Sequence, residues 1–412
     1  MREKSKKQSL NDICEFIVDC EHKTAPIDES GDYYSIRTPN IGRGFLKLEN
    51  AYRVNQETYI KWTRRAIPQE NDLIIAREAP VGNVAIIPKD VKACLGQRTV
   101  LVRPDKKSVY PKYLCYLLLS NAIQSVLLGQ STGSTVSHLN MRDIRGLELP
   151  ALPPLPLQTR IADLLSAYDE LIEVNNRRIA LLEQTAEQLY KEWFVRLRFP
   201  GYARTKVRKG VPEGWRKVSF PEAVEINPRI KIDKHKEYTY VDMGSLNENS
   251  MITTSHSKRK PKGGAKFTNG DTLFSRITPC LQNGKIGLMQ ILRKGEVGFG
   301  STEFIIFRSK TLTPEFVYFL SRNQSFRQNA INSMVGASGR QRVDNKCFDS
   351  FLFLHPPQSI LEQFSDITSP MVRQIFKLNN HNQTLRRTRD LLLPRLISGQ
   401  LSVAEAETAL NA

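Results

Sequence analysis

The chain has 412 residues, with 60 Lys and Arg against 42 Asp and Glu, and a formal net charge of +18. Hydrophobic residues at 40% and charged ones at 25% give a folding chain with apolar surface to bury; this excludes global disorder, and the length calls for at least two packed cores. No apolar run approaches the roughly 18 residues of a membrane span, and MREKSKKQSL is followed by NDICEFIVDC in place of a signal-peptide core, so a cytoplasmic chain with no membrane partner is expected.

The charge is uneven along the chain: +5 over residues 1–150, −1 over 151–200, +13 over 201–350 and +1 over 351–412. Two basic modules alternating with near-neutral spacers point to a polyanionic partner, nucleic acid first, held through phosphate neutralisation. The expected domains are 1–150, 151–199, 200–355 and 356–412.

In the first module, Arg37, Asn40 and Arg43 form a candidate polar set. Asp72 to Ala76 and Val84 to Pro88 read as strands, and Tyr113 to Leu128 as a helix. Arg77, at a strand end, fits a phosphate contact or a structural ion pair equally well. The loop Ser131–His138 offers hydroxyls and an imidazole on a Gly-hinged turn, with Ser134, Thr135 and His138 as contact candidates.

Leu152-Pro153-Pro154-Leu155-Pro156 interrupts any helix, and from Leu157 to Arg198 there is neither Gly nor Pro. Ile161, Leu165, Tyr168, Ile172, Asn175, Ile179, Leu182, Ala186, Leu189 and Trp193 are spaced alternately four and three, and all but Asn175 are apolar. This is the pattern of a coiled-coil seam in which one amide fixes register.

In the second module, Lys258, Arg259, Lys260, Lys262 and Lys266 lie with Gly263 and Gly264 in eleven residues, a composition suited to a mobile loop tracking phosphates. Asp271 to Ser275 and Glu303 to Arg308 read as strands, Glu315 to Ile331 as a helix, and Arg276 sits where Arg77 does in the first module. Arg340, Gln341 and Arg342, in a second Gly-hinged loop, are the donor types that read base edges, Arg for guanine and Gln for adenine. The last spacer has a weaker stripe of Phe364, Ile367, Met371, Leu378, Leu385, Leu392 and Leu396, interrupted by Asn382 and Arg389. Pro370 is expected to kink or delay this helix, and Pro394 and Gly399 to end it. Two helices with one apolar stripe each are expected to pack on each other.

The halves repeat. Asp72-Leu73-Ile74-Ile75-Ala76-Arg77 faces Asp271-Thr272-Leu273-Phe274-Ser275-Arg276, Tyr110-Pro111 faces Thr313-Pro314, and Pro153-Pro154 faces Pro356-Pro357. The unit is far longer than a solenoid repeat and implies a duplicated domain with its spacer. Motifs for catalysis are missing: no GxxxxGK[ST], no HExxH, no Asn/Asp-Pro-Pro-aromatic tetrad, and six scattered cysteines without metal-ligand spacing. Neither catalytic residues nor a metal site is expected. The competing class is a stand-alone DNA nuclease or methyltransferase with an unfamiliar active site.

The run from Leu152-Pro153-Pro154 through Gln158-Thr159-Arg160-Ile161-Ala162 to Asn175-Asn176, with Glu192-Trp193-Phe194, Val211-Pro212-Glu213-Gly214-Trp215 and Leu393-Pro394-Arg395-Leu396-Ile397-Ser398-Gly399, resembles the conserved regions of the specificity subunit of type I restriction-modification enzymes. The first half departs from that pattern, opening at Ser9-Leu10-Asn11-Asp12-Ile13 without a Pro-x-Gly-Trp. The resemblance implies an α+β, pseudo-two-fold chain: two related target-recognition domains, each reading half of an interrupted double-stranded DNA site, joined by two long antiparallel coiled-coil helices. It implies two modification (methyltransferase) subunits and restriction (motor-nuclease) subunits as partners. S-adenosylmethionine, ATP and Mg are then expected on those partners and no cofactor on this chain.

Overall fold

In the computed structural model, which describes residues 8–130, 138–337 and 339–411, the chain is α+β and divides into two units. Met1–Leu171 with Leu385–Ala412 form the first, and Ile172–Thr384 the second. Both divisions fall inside long helices.

The first unit is built on an antiparallel sheet in the order Cys14–Asp19, Thr99–Pro104, Leu73–Ala76, Val84–Ile86. Leu73 and Ile75 face one apolar cluster and Ile74 and Ala76 another, which is why this strand reads as an unbroken hydrophobic run. A smaller sheet pairs Tyr33–Ile36 antiparallel to Tyr52–Val54 and parallel to Ala93–Leu95.

The second unit repeats this plan. Its main sheet runs Val224–Ile226, Phe304–Ser309, Thr272–Ser275, Ile286–Leu288, and its smaller sheet pairs Tyr238–Val241 antiparallel to Ser257–Arg259 and parallel to Gly298–Gly300, with Lys266–Phe267 added at one edge. The aspartates that reveal the repeat do the same job twice. Asp72 accepts from Gln69 N at 2.9 Å and pairs with Arg103 at 2.7 Å; Asp271 accepts from Thr268 N at 2.7 Å and pairs with Arg308 at 2.6 Å.

Where one helix is expected after each sheet, there are two: Pro111–Leu119 and Asn121–Gln130, then Pro314–Arg322 and Gln324–Asn332. The breaks come from capping side chains. Ser120 Oγ donates to Leu117 O at 2.7 Å, and Asn323 Oδ1 accepts from Ser325 N at 2.9 Å.

The spacers form helices Leu155–Tyr190, continued by a π turn over Lys191–Val195, and Gln358–Ile397. The latter starts before Pro370, so that proline does not delay it, and ends at Ile397 between Pro394 and Gly399; both prolines are exposed, so the carbonyl each leaves unpaired faces water. In the first unit Ile161 and Leu165 share a core with Leu393 and Leu396. There Asp169 pairs with Arg389 and accepts from Tyr116 Oη at 2.6 Å. In the second unit Asn175 Nδ2 donates to Asn382 Oδ1 at 2.9 Å, Asn382 Nδ2 donates to Asn176 Oδ1 at 2.9 Å, and Tyr190 and Trp193 lie against Phe364. Rising numbers on one helix meet falling numbers on the other, so the two run antiparallel within this unit.

Tyr168, Ile172, Ile179 and Trp193 are buried, and Leu182 and Leu189 half-buried. On the later helix Leu378 is buried, Leu385 and Leu392 are half-buried, and Ile367, at 41% exposure, leaves the stripe. The buried stripe there is Phe364, Thr368, Val372, Ile375, Asn379 and Asn382. Ile179 and Phe364 share one core with sheet residues Phe274 and Phe307, so these helices pack on the sheet as well as on each other. Among the described residues no helix is long and apolar enough to cross a membrane.

The Asn pair yields a double-mutant prediction. Asn175→Leu alone leaves the buried Asn382 Oδ1 without its donor and is expected to cost about 1–3 kcal/mol, whereas Asn175→Leu with Asn382→Leu, which removes both partners, recovers most of that loss. Urea unfolding of the four variants of the cycle measures it. Additive single effects would mean the two amides do not act together.

Candidate nucleic-acid interface

The best-defined polar site of the first unit forms where Leu73–Ala76 ends. Pairing of Ala76 with Thr99 sets Arg77 beside Arg98, with Arg77 N donating to Arg98 O at 2.9 Å, and Leu139 N caps Arg77 O at 3.0 Å. Arg77 is only 7% exposed. Its Nε donates to Leu139 O at 2.8 Å, one terminal nitrogen to Asp19 Oδ2 at 2.8 Å and the other to His138 Nε2 at 2.7 Å. The structure therefore places Arg77 in a structural ion pair, the second of the two roles that its residue type allows.

Because arginine can only donate, His138 Nε2 is the acceptor, and Nδ1 carries the proton toward Glu78 Oε1 at 2.9 Å. Glu78 Oε2 then takes Arg98 at 2.7 Å. This chain of groups borders an open cavity of about 270 Å³ lined by His22, Arg77, Glu78, Gln97, Arg98 and His138. Of these, His22, Glu78, Gln97 and Arg98 carry no local sequence signal. Asp19, Cys20 and His22 bring ligand atoms within 4.8 Å of one another, but Arg77 already holds Asp19, and burial raises the Cys20 thiol above its ordinary pKa. That disfavours a metal there.

The equivalent place in the second unit keeps the frame and changes the surface. Arg276 N donates to Glu303 O at 3.0 Å, Val343 N donates to Arg276 O at 2.8 Å, and the Arg276 side chain returns to Val343 O at 3.1 Å. Arg276 is thus engaged with the frame as Arg77 is. Arg342 grips Glu303 bidentately, Nε to Oε2 at 2.9 Å and Nη2 to Oε1 at 2.7 Å. That guanidinium holds the Glu303 carboxyl below its ordinary pKa. Thr278 and Gln341 exchange bonds, Thr278 N to Gln341 O at 3.0 Å and Gln341 N to Thr278 Oγ1 at 3.1 Å, pinning the loop. Arg340 is exposed and has no side-chain partner among the described residues.

The ends of the basic segment lie on strands, with a loop between them. Lys258 and Arg259 lie on strand Ser257–Arg259, and Lys266 begins Lys266–Phe267. Lys258 Nζ donates to Thr239 Oγ1 at 3.1 Å, and Arg259 stacks 4.2 Å over the Tyr240 ring. Lys260 and Lys262 are exposed in the connection. The smaller sheet of the first unit carries the same kind of stacking, Arg37 at 3.6 Å over Tyr52 and Arg53 at 3.8 Å over Tyr34. Arg43 turns back to Leu119 O at 3.0 Å. Ser134 and Thr135 lie outside the described residues.

Chemically these are surfaces of donors: guanidinium forks, ammonium groups and amides, suited to phosphates and base edges. The thiols do not supply a nucleophile at Cys14, Cys94 and Cys115, where burial pushes them up to about 12, 11 and 12 respectively.

Comparison with known proteins places the chain among related molecules. Residues 2–184 match the family model described as the type I restriction modification DNA specificity domain. The chain is 24% identical over 380 residues to the type I restriction enzyme MjaIX specificity subunit of Methanocaldococcus jannaschii, covering 88% of this chain and 84% of that one. It is 23% identical over 293 residues to the MjaVIII specificity subunit of the same organism, covering 68% and 67%. The crystal structure of the type I restriction-modification system S subunit from M. genitalium shares its fold, with a TM-score of 0.59 at 13% identity over 96% of this chain and 98% of that one.

Proposed function

We propose that this chain, whose residues 2–184 match a type I restriction modification DNA specificity domain, is the DNA-reading specificity subunit of a type I restriction-modification enzyme. Each unit reads one half of an interrupted double-stranded site. Exposed cations hold phosphates and set register; guanidinium and amide groups at the end of the main sheet discriminate bases. The single observation that carries this reading is the duplication: one sheet plan and one frame, Asp72–Arg103 and Asp271–Arg308, present two different polar surfaces, as two different half-sites require.

The antiparallel helices, 36 and 40 residues long, act in this proposal as the coiled-coil spacer of a pseudo-two-fold subunit that fixes half-site separation and docks two modification subunits. Restriction subunits complete the assembly. Methylation with S-adenosylmethionine and ATP- and Mg-dependent cleavage then belong to those partners. The chain itself supplies recognition.

The phosphate role is tested by replacing Lys258, Lys260 and Lys262 with Ala and titrating the complex with duplex DNA against salt. The slope of log binding constant against log salt is expected to fall by about 0.9 for each phosphate that is no longer neutralised, with the preferred sequence unchanged. A changed sequence preference at constant slope would make these lysines base readers instead.

A further inference from the structure

The two units differ most sharply at three equivalent positions. Strand pairing makes Arg98 the counterpart of Glu303, since Arg77 N bonds Arg98 O as Arg276 N bonds Glu303 O. Likewise His138 precedes Leu139 and Arg342 precedes Val343, whose amides cap Arg77 and Arg276. The third position is Glu78 in one unit and Ile277 in the other. Each unit ends in an arginine–carboxylate pair, Arg98–Glu78 at 2.7 Å and Arg342–Glu303 at 2.7 Å. The arginine comes from the strand start in the first and from the following loop in the second.

Both arginines are half exposed, 59% and 48%, over carboxylates that are largely covered. Such a carboxylate orients a guanidinium without occupying all five of its donors. Arg98 shows a second feature: its φ is 65°, in the left-handed region where glycine is favoured and an arginine is strained. A side chain kept at a glycine position, facing outward beside a polar cavity, points to a role other than folding.

We infer that Arg98, oriented by Glu78, and Arg342, oriented by Glu303, are the guanine-reading residues of the two units, each donating two bonds to O6 and N7 in the major groove. Moving the fork from strand start to loop, on an unchanged frame, places the guanine differently in each half-site. This rests on the proposed function and deepens it. Gln97, next to Arg98 on the cavity wall, is the neighbouring donor for an adjacent base.

The test maps methylated motifs in the genome of a methylation-free host carrying the full chain with its modification partner. Arg98→Gln is expected to relax one guanine toward adenine in one half-site, losing roughly 10- to 100-fold discrimination there, and Arg342→Gln to do so only in the other half-site. Arg98→Gly is expected to give the same relaxation with an unchanged or raised thermal midpoint. The inference is overturned if both Gln variants keep the wild-type motif, if both change the same half, or if Arg98→Gly keeps the guanine. A wild-type complex that methylates no two-part motif would instead overturn the proposed function, whatever the variants do.

Discussion

Replacing Arg77 by Ala is expected to destabilise the first unit by about 3 kcal/mol or more, the scale of removing one partner from a buried ion pair. Three groups meet on this guanidinium: Asp19 at 2.8 Å, Leu139 O at 2.8 Å and His138 at 2.7 Å. Alanine leaves the largely covered Asp19 carboxylate without its guanidinium partner and His138 Nε2 without its donor. Faster hydrogen exchange in Leu73–Ala76 and Thr99–Pro104, together with a lower urea midpoint, would register the loss. Arg276→Ala, at the equivalent place with one backbone acceptor, Val343 O at 3.1 Å, is expected to cost only about 1 kcal/mol. Equal losses would show that the arginines act as bulk spacers and that the ion pair adds nothing.

Phe364→Ala is expected to cost about 3–5 kcal/mol in the second unit. Phe364 is fully buried, with ring centroids 4.9 Å from Phe194, 6.0 Å from Trp193 and 6.4 Å from Tyr190. Through the same core it reaches Phe316, Phe307 and Phe274. The truncation therefore opens a cavity where the two long helices and the sheet side of the unit converge, and the loss is expected to lower the unfolding midpoint of the whole second unit. Exposed Ile367 on the same helix is the control, with Ile367→Ala expected to lie within about 0.5 kcal/mol of wild type. Thermal and urea unfolding of both variants separates a core role for the helix from that of a detached strut.

The duplication was legible because its markers are chemical necessities. Asp72 and Asp271 each bind a backbone amide and an arginine in both copies, and the Pro-Pro pairs precede both long helices. The first helix announced itself by spacing, and Asn175 by being the one amide in an apolar stripe; its partner Asn382 was visible only as an interruption. Ser120 and Asn323 broke their helices without Pro or Gly, through side-chain bonds that a run of apolar residues conceals. Pro370 does not delay its helix, since a proline on a wet helix face costs one bond and no packing, while Pro394 stands in the last turn before the helix ends at Ile397. The polar sites were least legible: Glu78, Arg98 and His138 lie far apart in sequence and meet only through strand pairing and the Leu139–Arg77 bond. Arg77 illustrates the limit of residue type, because the same guanidinium suits a phosphate or a buried acid, and only the fold places Asp19 beside it.

The proposed pair of different readers on one repeated frame implies a two-part specificity. Sequencing methylated bases in host DNA after co-expression of the full chain with its modification partner tests it most directly. A single motif of two unlike specific halves separated by a fixed unspecified gap is expected, with no modification by the chain alone. A continuous motif, or methylation or cleavage by the purified chain without a partner, would contradict it.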